Sequence, residues 1–329
     1  MAKAEHGLQV GTQIDHYRIE QVLGSGGFSI VYLATDLSSG KQVVVKEYLP
    51  QKLAYRSESG AVVPRSESDE SHFKQGRHLF LHEARTLATL RHPNIVTVTN
   101  FFSANGTVYM AMEYAEGVNL QKYIREHNGG MSERFLRKIF PELLDGLKHI
   151  HSKGLLHLDI KPGNIHIRPG GAPILLDFGA VHQQQISRAN QRGQVISPGF
   201  SPPEQCQHGG YVGPWTDLYA IGASMRTCIE GQPPIPALER VVNDKLKPAA
   251  QAFKRRYSQA LLEAIDWAME PDPLLRPQSV DEFLFALEGE NGHAAKPEQS
   301  SGQEAIMDWI STNLIKFRGP ASAGKKDED

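Results

Sequence analysis

The reactive side chains are densest between residues 157 and 179. There His157-Leu158-Asp159-Ile160-Lys161-Pro162-Gly163-Asn164 is followed, 18 residues after Asp159, by Asp177-Phe178-Gly179. Asp159 can accept or orient the proton of an attacking hydroxyl. Asn164 and Asp177 offer the oxygen ligands that Mg2+ needs when it faces triphosphate charge. Lys161 stands two residues past Asp159.

A second set lies near the N-terminus. Gly24-Ser25-Gly26-Gly27-Phe28 interrupts two strand-like runs, Tyr17 to Val22 and Ile30 to Ala34. A dinucleotide-binding fold would need a helix directly after such glycines, whereas Ser29-Ile30-Val31-Tyr32-Leu33 favours a strand. The loop is therefore a hairpin, whose backbone N–H groups can approach phosphate oxygens because glycine brings no Cβ. Beyond the turn Ser38-Ser39-Gly40, Val43-Val44-Val45-Lys46 completes an antiparallel meander that ends on a lysine.

These residues must be positioned by the elements around them. After Lys46 a polar connection of about 30 residues exceeds the usual loop length and reads as a surface insertion. Leu79, Glu83, Leu87 and Leu90 then recur at helical spacing, which puts a glutamate on the inward face of a helix ended by His92-Pro93-Asn94. Strand runs 95–102 and 108–114 flank the turn Asn105-Gly106. Past Gly117 helices dominate: 120–126, then 132–152 with Ser132 as N-cap and Gly154 past the end, and a mostly helical stretch from Glu204 to Leu287. Short strands at 165–167 and 174–176 bracket a loop. The fold class is α+β, a small sheet-rich lobe followed by a larger helical one.

In this order the motifs resemble those of the Ser/Thr protein kinases, and of the bacterial Hanks-type branch in particular. The resemblance runs from about Tyr17 to Leu287. It implies the two-lobed kinase fold, an antiparallel N-lobe sheet plus one helix and a mainly helical C-lobe. The domain is placed at 17–288 (N-lobe 17–113, C-lobe 117–288), after an extension 1–16 and before a tail 289–329. It further implies that Leu23, Gly24, Ser25, Gly26, Gly27, Phe28, Val31 and Val44 surround ATP. Main-chain groups of Glu113 and Ala115 bind adenine, with Met112 behind it, and Lys46, held by Glu83, contacts the α and β phosphates. Asp159 becomes the catalytic base and Lys161 its Ser/Thr-type neighbour; Asn164 and Asp177 hold Mg2+, with Mn2+ able to substitute. Ser187, Ser197 and Glu204 fall in the activation and substrate loop, while His157, Phe178, Asp217 and Arg276 are structural, the last pairing with Glu204. Two positions depart from the family pattern: Ser29 stands at the third glycine and Val44 at the small residue that roofs adenine. Leu158 replaces an arginine that normally meets a phosphorylated loop, so activity should not depend strictly on that phosphate.

The implied reaction is transfer of the γ-phosphate of ATP to Ser or Thr of proteins, the chain itself included, in bacterial signalling, with a cognate protein phosphatase as a possible counterpart. A pseudokinase acting as an ATP-binding scaffold would be expected to lack one of Lys46, Asp159, Asn164 or Asp177, and all four are present. A small-molecule phosphotransferase would lack Asp-Phe-Gly and the loop that ends in Pro-Glu.

The composition agrees with an ordinary globular chain. Among 329 residues 40% are hydrophobic and the formal net charge is -2, which gives no cationic excess for nucleic acid or an anionic membrane. No export signal or membrane-spanning run is read, so the expected location is cytoplasmic. Cys206 and Cys228 cannot build a disulfide framework. His149 and His151, at i and i+2, point to different helix faces and make a poor metal pair. In the tail, Ser301 and Glu304 form a capping box ahead of Ile306, Trp309, Ile310, Leu314 and Phe317. A helix over 303–318 is expected there, either docked on the kinase lobe or reserved for a partner.

Overall fold

The computed structural model describes residues 7–176, 196–207 and 210–289. Asp177, Phe178, Ser187 and the expected tail helix lie outside the described residues. The chain divides into two compact units, one containing 1–118 and 166–193, the other 119–165 and 194–329.

The first unit is built on a six-stranded antiparallel sheet in the order β1-β2-β3-β4-β8-β7. Its strands are β1 (Gln13–Ile14), β2 (Tyr17–Ser25), β3 (Ser29–Asp36), β4 (Gln42–Tyr48), β7 (Val98–Ala104) and β8 (Thr107–Glu113). In β3 the β-branched and aromatic residues alternate, and Ile30, Tyr32 and Ala34 are fully buried, as a pleated strand with one covered face requires. The β7–β8 turn places both Asn105 (φ 48°) and Gly106 (φ 73°) in the left-handed region, the two-residue hairpin that its Asn-Gly sequence anticipates.

The connection after Lys46, expected as a polar surface insertion, carries secondary structure of its own. It contains a second hairpin, β5 (Ala54–Arg56) with β6 (Val62–Pro64), and Leu49, Ala54 and Val62 are buried. Helix α1 (Glu67–Leu87) also begins some twelve residues before its apolar periodicity becomes clear, behind Ser66 and with Glu67, Asp69 and Glu70 in its first turn, where acidic groups complement the helix dipole. Its buried face is Phe73, Gly76, Phe80, Glu83, Ala84 and Leu87. Phe80 takes the inward place expected of Leu79, and Leu90 is buried just beyond the helix end.

The second unit is helical: α2 (Leu120–Glu126), α3 (Glu133–Ser152), α4 (Pro203–Cys206), α5 (Pro214–Glu230), α6 (Ala237–Val242), α7 (Ala249–Ala252), α8 (Gln259–Ala268) and α9 (Val280–Glu288). Ser132 caps α3 by accepting from Phe135 N at 3.2 Å, and Ser258 and Ser279 cap α8 and α9 in the same way. Each such cap is worth about 1 kcal/mol. Helix α5 is buried from Pro214 to Ile229, so it forms the centre of this unit, with the polar Thr216, Asp217, Ser224, Arg226 and Thr227 buried along with its apolar residues. It ends at Gly231 in the left-handed region (φ 84°), which glycine enters without a Cβ penalty. Short strands β9 (Val118–Asn119) and β10 (Ile165–Ile167) lie where the chain passes from one unit to the other, and β11 (Pro173–Leu175) follows in the first. Among the described residues no helix is long and apolar enough to cross a membrane.

Candidate active site

In the first unit, Lys46 and Glu83 are both buried, at 7% and 4% exposure, one on β4 and the other on the inward face of α1. Strand register puts Val31 opposite Lys46 and Met112 opposite Val44. Val31, Val44 and Met112 therefore share the sheet face of Lys46, and all three are only half-buried. They form an apolar surface beside Lys46. Leu23 and Phe28 at the hairpin are exposed at 46% and 41%. The hairpin is closed by Gly26 N donating to Ser29 O at 2.9 Å, which leaves its glycines clear: a Cβ added at Gly24 or Gly27 meets nothing within 4 Å. Glu113 pairs with Arg168 at 3.1 Å. His166 hydrogen-bonds the backbone of Ala115, and burial lowers its pKa.

The second unit holds a tighter cluster. Lys161 Nζ donates to both carboxylate oxygens of Asp159 at 2.9 Å and to Ser197 Oγ at 3.0 Å. Ser197 Oγ in turn donates to Asp159 Oδ1 at 2.8 Å. Asn164 Nδ2 donates to Asp159 O at 2.8 Å and to Oδ2 at 2.9 Å. One carboxylate thus gathers an ammonium, a hydroxyl and an amide from three points of the chain, in the charge-assisted bonds that hold such a group most firmly.

The loop that presents Asp159 is strained and fastened. Leu158 is buried and lies at φ 62°, a conformation that costs a non-glycine residue roughly 1–3 kcal/mol unless its surroundings impose it. Asp217 accepts from Leu158 N at 2.8 Å and from His157 N at 2.9 Å, while Gln205 Nε2 donates to Leu158 O at 2.6 Å. His151 Nε2 lies 2.9 Å from Asp217 Oδ2. Asp217 is fully buried. Burial alone would raise its pKa, but the His151 hydrogen bond, the charges of His151 and His157 and the His157 N–H together lower it.

Since the folded pKa of Asp217 is depressed, its stabilisation is complete above the unfolded value of about 3.9 and is lost as pH falls through the folded one. Asp217→Asn, which cannot accept at both positions, is expected to cost about 3 kcal/mol near neutral pH. In urea unfolding followed against pH, the gap between the two proteins should narrow on acidification below about pH 4; a gap independent of pH would contradict this account.

The segment before α4 is anchored from below. Arg276 Nη1 and Nη2 meet Glu204 Oε1 and Oε2 at 2.7 and 3.0 Å, and Thr216 Oγ1 donates to Glu204 Oε1 at 2.9 Å. The Arg276 guanidinium also lies 4.8 Å over the Tyr219 ring and donates to the carbonyls of Glu270 and Pro271. Gly199 (φ 85°) passes so close to Pro234 that a Cβ would come within 2.6 Å of its carbonyl oxygen.

Of the residues expected from sequence, Asp159, Lys161, Asn164 and Ser197 are brought into one cluster, and His157, Asp217, Glu204 and Arg276 stand directly beneath it. His151, Gln205 and Thr216 were missed. Their only sequence signal is proximity to a motif: Gln205 follows Glu204 and Thr216 precedes Asp217, while His151 carries none.

A "Protein kinase domain" family description matches residues 17–284. Among curated proteins, Serine/threonine-protein kinase D of Synechocystis is 30% identical over 295 residues, covering 86% of this chain and 54% of its own length. PrkC of Bacillus subtilis is 27% identical over 284 residues, covering 84% and 41%. The chain thus spans about half the length of these relatives. Among solved structures, PpkA-294 in its apo form superposes with a TM-score of 0.77 at 35% identity, covering 86% of this chain and 99% of that one. Rad53 in complex with AMP-PNP gives a TM-score of 0.62 at 21% identity over 83% and 65% of the two chains, a likeness of fold alone. With its sheet-based and helical units and the family match over most of its length, the chain belongs to the protein kinase family.

Proposed function

We propose that this chain is a serine/threonine protein kinase that transfers the γ-phosphate of ATP to Ser or Thr hydroxyls of proteins, itself included, in bacterial signalling. The observation that carries this reading is the convergence of Lys161, Ser197 and Asn164 on the Asp159 carboxylate. Asp159 is thereby held in one rotamer, ready to take up or orient the acceptor hydroxyl proton. Lys161 remains within reach of the charge that develops on the transferring group. On the first unit the glycine hairpin covers the phosphates. Val31, Val44 and Met112 contact adenine, and main-chain groups of Glu113 and Ala115 bind its edge. Lys46, oriented by Glu83, contacts the α and β phosphates.

A divalent cation fits the donor set. The amide nitrogen of Asn164 is committed to Asp159, which leaves its oxygen as the group offered to a metal. Asn164 and Asp177 would hold Mg2+, with Mn2+ as substitute, and the ion would neutralise phosphate charge. The kinase domain is assigned to 17–288 with lobes 17–113 and 117–288, and 289–329 is assigned as a tail with a helix at 303–318. A protein phosphatase is the counterpart that such signalling calls for, nucleic acid is not expected as a partner, and the working compartment is the cytoplasm.

The test is transfer of labelled γ-phosphate to the protein and to a generic basic substrate, with the modified residues mapped by mass spectrometry. Label on Ser or Thr in wild type and none in Lys46→Ala supports the reading. Tight ATP binding without transfer would replace it by the scaffold. Leu158 leads to a further expectation. Its backbone is fixed by Asp217 and Gln205 with no phosphate involved, so protein stripped by a phosphatase should retain most of its activity. An enzyme inert until Ser187 or Ser197 is modified would contradict this.

A further inference from the structure

The residue after Lys46 is a carboxylate buried completely within the sheet-based unit. Glu47 has 0% exposure and, as the next residue on β4, lies on the opposite sheet face from Lys46. Tyr32 and Tyr109 each donate a hydroxyl to it at 2.6 Å, and Arg56 from β5 pairs with it. Burial, followed by the Glu47 charge, raises the pKa of both tyrosines, so they remain donors. The Tyr32 hydroxyl also accepts from Leu8 N at 3.1 Å. Burying an ion pair in this way gains little stability over apolar packing, so its value must lie in what it positions.

Arg56 belongs to the segment that follows β4, and that segment holds the glycine hairpin. Leu49 N donates to Phe28 O at 2.9 Å, Gln51 N to Gly27 O at 3.0 Å, and Gln51 Nε2 to Ser25 Oγ at 3.3 Å. The segment is closed on itself by Arg65 Nε on Gln51 O at 2.7 Å and by Arg56 Nη1 on Gly60 O at 2.8 Å. Between Glu47 and Leu49, Tyr48 stacks on Phe73 and lies against Phe80 of α1. A Cβ at Gly76 would come within 1.9 Å of the Tyr48 hydroxyl, so α1, which carries Glu83, is seated on that ring.

We propose that Glu47 and Arg56 are a positioning pair which, by holding the 49–66 segment against the sheet, sets the glycine hairpin and the Lys46 strand for nucleotide binding. The inference rests on reading Gly24–Ser29 as the cover of the ATP phosphates. It gives the insertion a role and supplies a restraint on a hairpin whose third glycine is replaced by Ser29.

Mg-ATP affinity by calorimetry and steady-state transfer are to be measured for wild type, Arg56→Met, Arg56→Lys and Glu47→Gln, well below every melting temperature. Arg56→Met and Glu47→Gln are expected to weaken ATP binding and lower kcat by about 10- to 100-fold, the usual consequence of groups misplaced by an ångström. Arg56→Lys should recover most of the loss, and the Arg56→Met/Glu47→Gln double variant should be no worse than either single change. Variants that melt earlier yet bind and turn over ATP as wild type does would overturn the proposal and leave the pair a structural one. If wild type itself binds no ATP, the phosphate-cover reading fails separately, and amide exchange decides. Faster exchange at Leu49 and Gln51 in Arg56→Met, with α8 unchanged, supports the brace; unchanged exchange there overturns it.

Discussion

Asp159→Ala is expected to abolish protein phosphorylation while leaving nucleotide binding largely intact. General base catalysis alone contributes about 10²- to 10⁴-fold, and the loss here should reach the upper end because this carboxylate does more than handle a proton. It is the shared acceptor of Lys161, Ser197 and Asn164. Without it Lys161 has no fixed position from which to meet transferring charge, and the Asn164 amide is free to turn. Asp159→Asn separates the two contributions, since it keeps the shape but cannot accept at both oxygens. Equal loss in both variants would assign the effect to charge and basicity, whereas a milder Asn variant would assign part of it to the lost network. Nucleotide affinity by calorimetry is the control. Phosphorylation retained by Asp159→Ala would remove Asp159 from the chemistry altogether.

The second large effect is structural. Glu204 and Arg276 form a bidentate pair with Arg276 fully buried. Arg276→Met leaves the Glu204 carboxylate buried with Thr216 as its described side-chain donor; Glu204→Leu leaves an uncompensated guanidinium. Removing one member of a buried pair costs about 3–5 kcal/mol, a large share of a typical domain stability of about 5–15 kcal/mol. Both single variants should therefore have urea midpoints far below that of wild type. The Glu204→Leu/Arg276→Met double variant should be less destabilised than the sum of the two. Activity should fall with stability, because Glu204 ends the segment that presents Ser197, where Ser201 Oγ also accepts from Ser197 N at 3.0 Å. If each single change cost less than about 1 kcal/mol, the pair would be behaving as an exposed one, and the anchoring role would be refuted.

Much of the architecture was legible in the chain because it follows from local rules. The β-branched and aromatic run of β3, Asn105-Gly106, the Ser132 cap and Gly154 past α3 each act over a few residues, and each appears where the sequence puts it. The motif residues of the second unit were legible for a different reason: catalytic chemistry restricts residue type and spacing together, so Asp159, Lys161 and Asn164 stand out even with nothing known of their surroundings.

What escaped the sequence was whatever depends on partners distant along the chain. Nothing local marks His151 as the support of Asp217, 66 residues away, or Gln205 as the clamp on Leu158. The 49–66 segment is the clearest case. Its polar composition reads as a surface insertion, yet the Arg56 side chain keeps only 10% of its surface exposed because a carboxylate, two tyrosines and the sheet were assembled beneath it. A charged side chain carries no signal of its own burial; desolvation is repaid only by partners that folding brings together. The sequence by itself determined the order of elements, the kinase motifs and the residue types of the chemistry. Only the tertiary structure decided which of those groups meet, how Asp159 is held and that Arg56 of the insertion reaches the buried Glu47, since these depend on contacts between residues far apart in the chain.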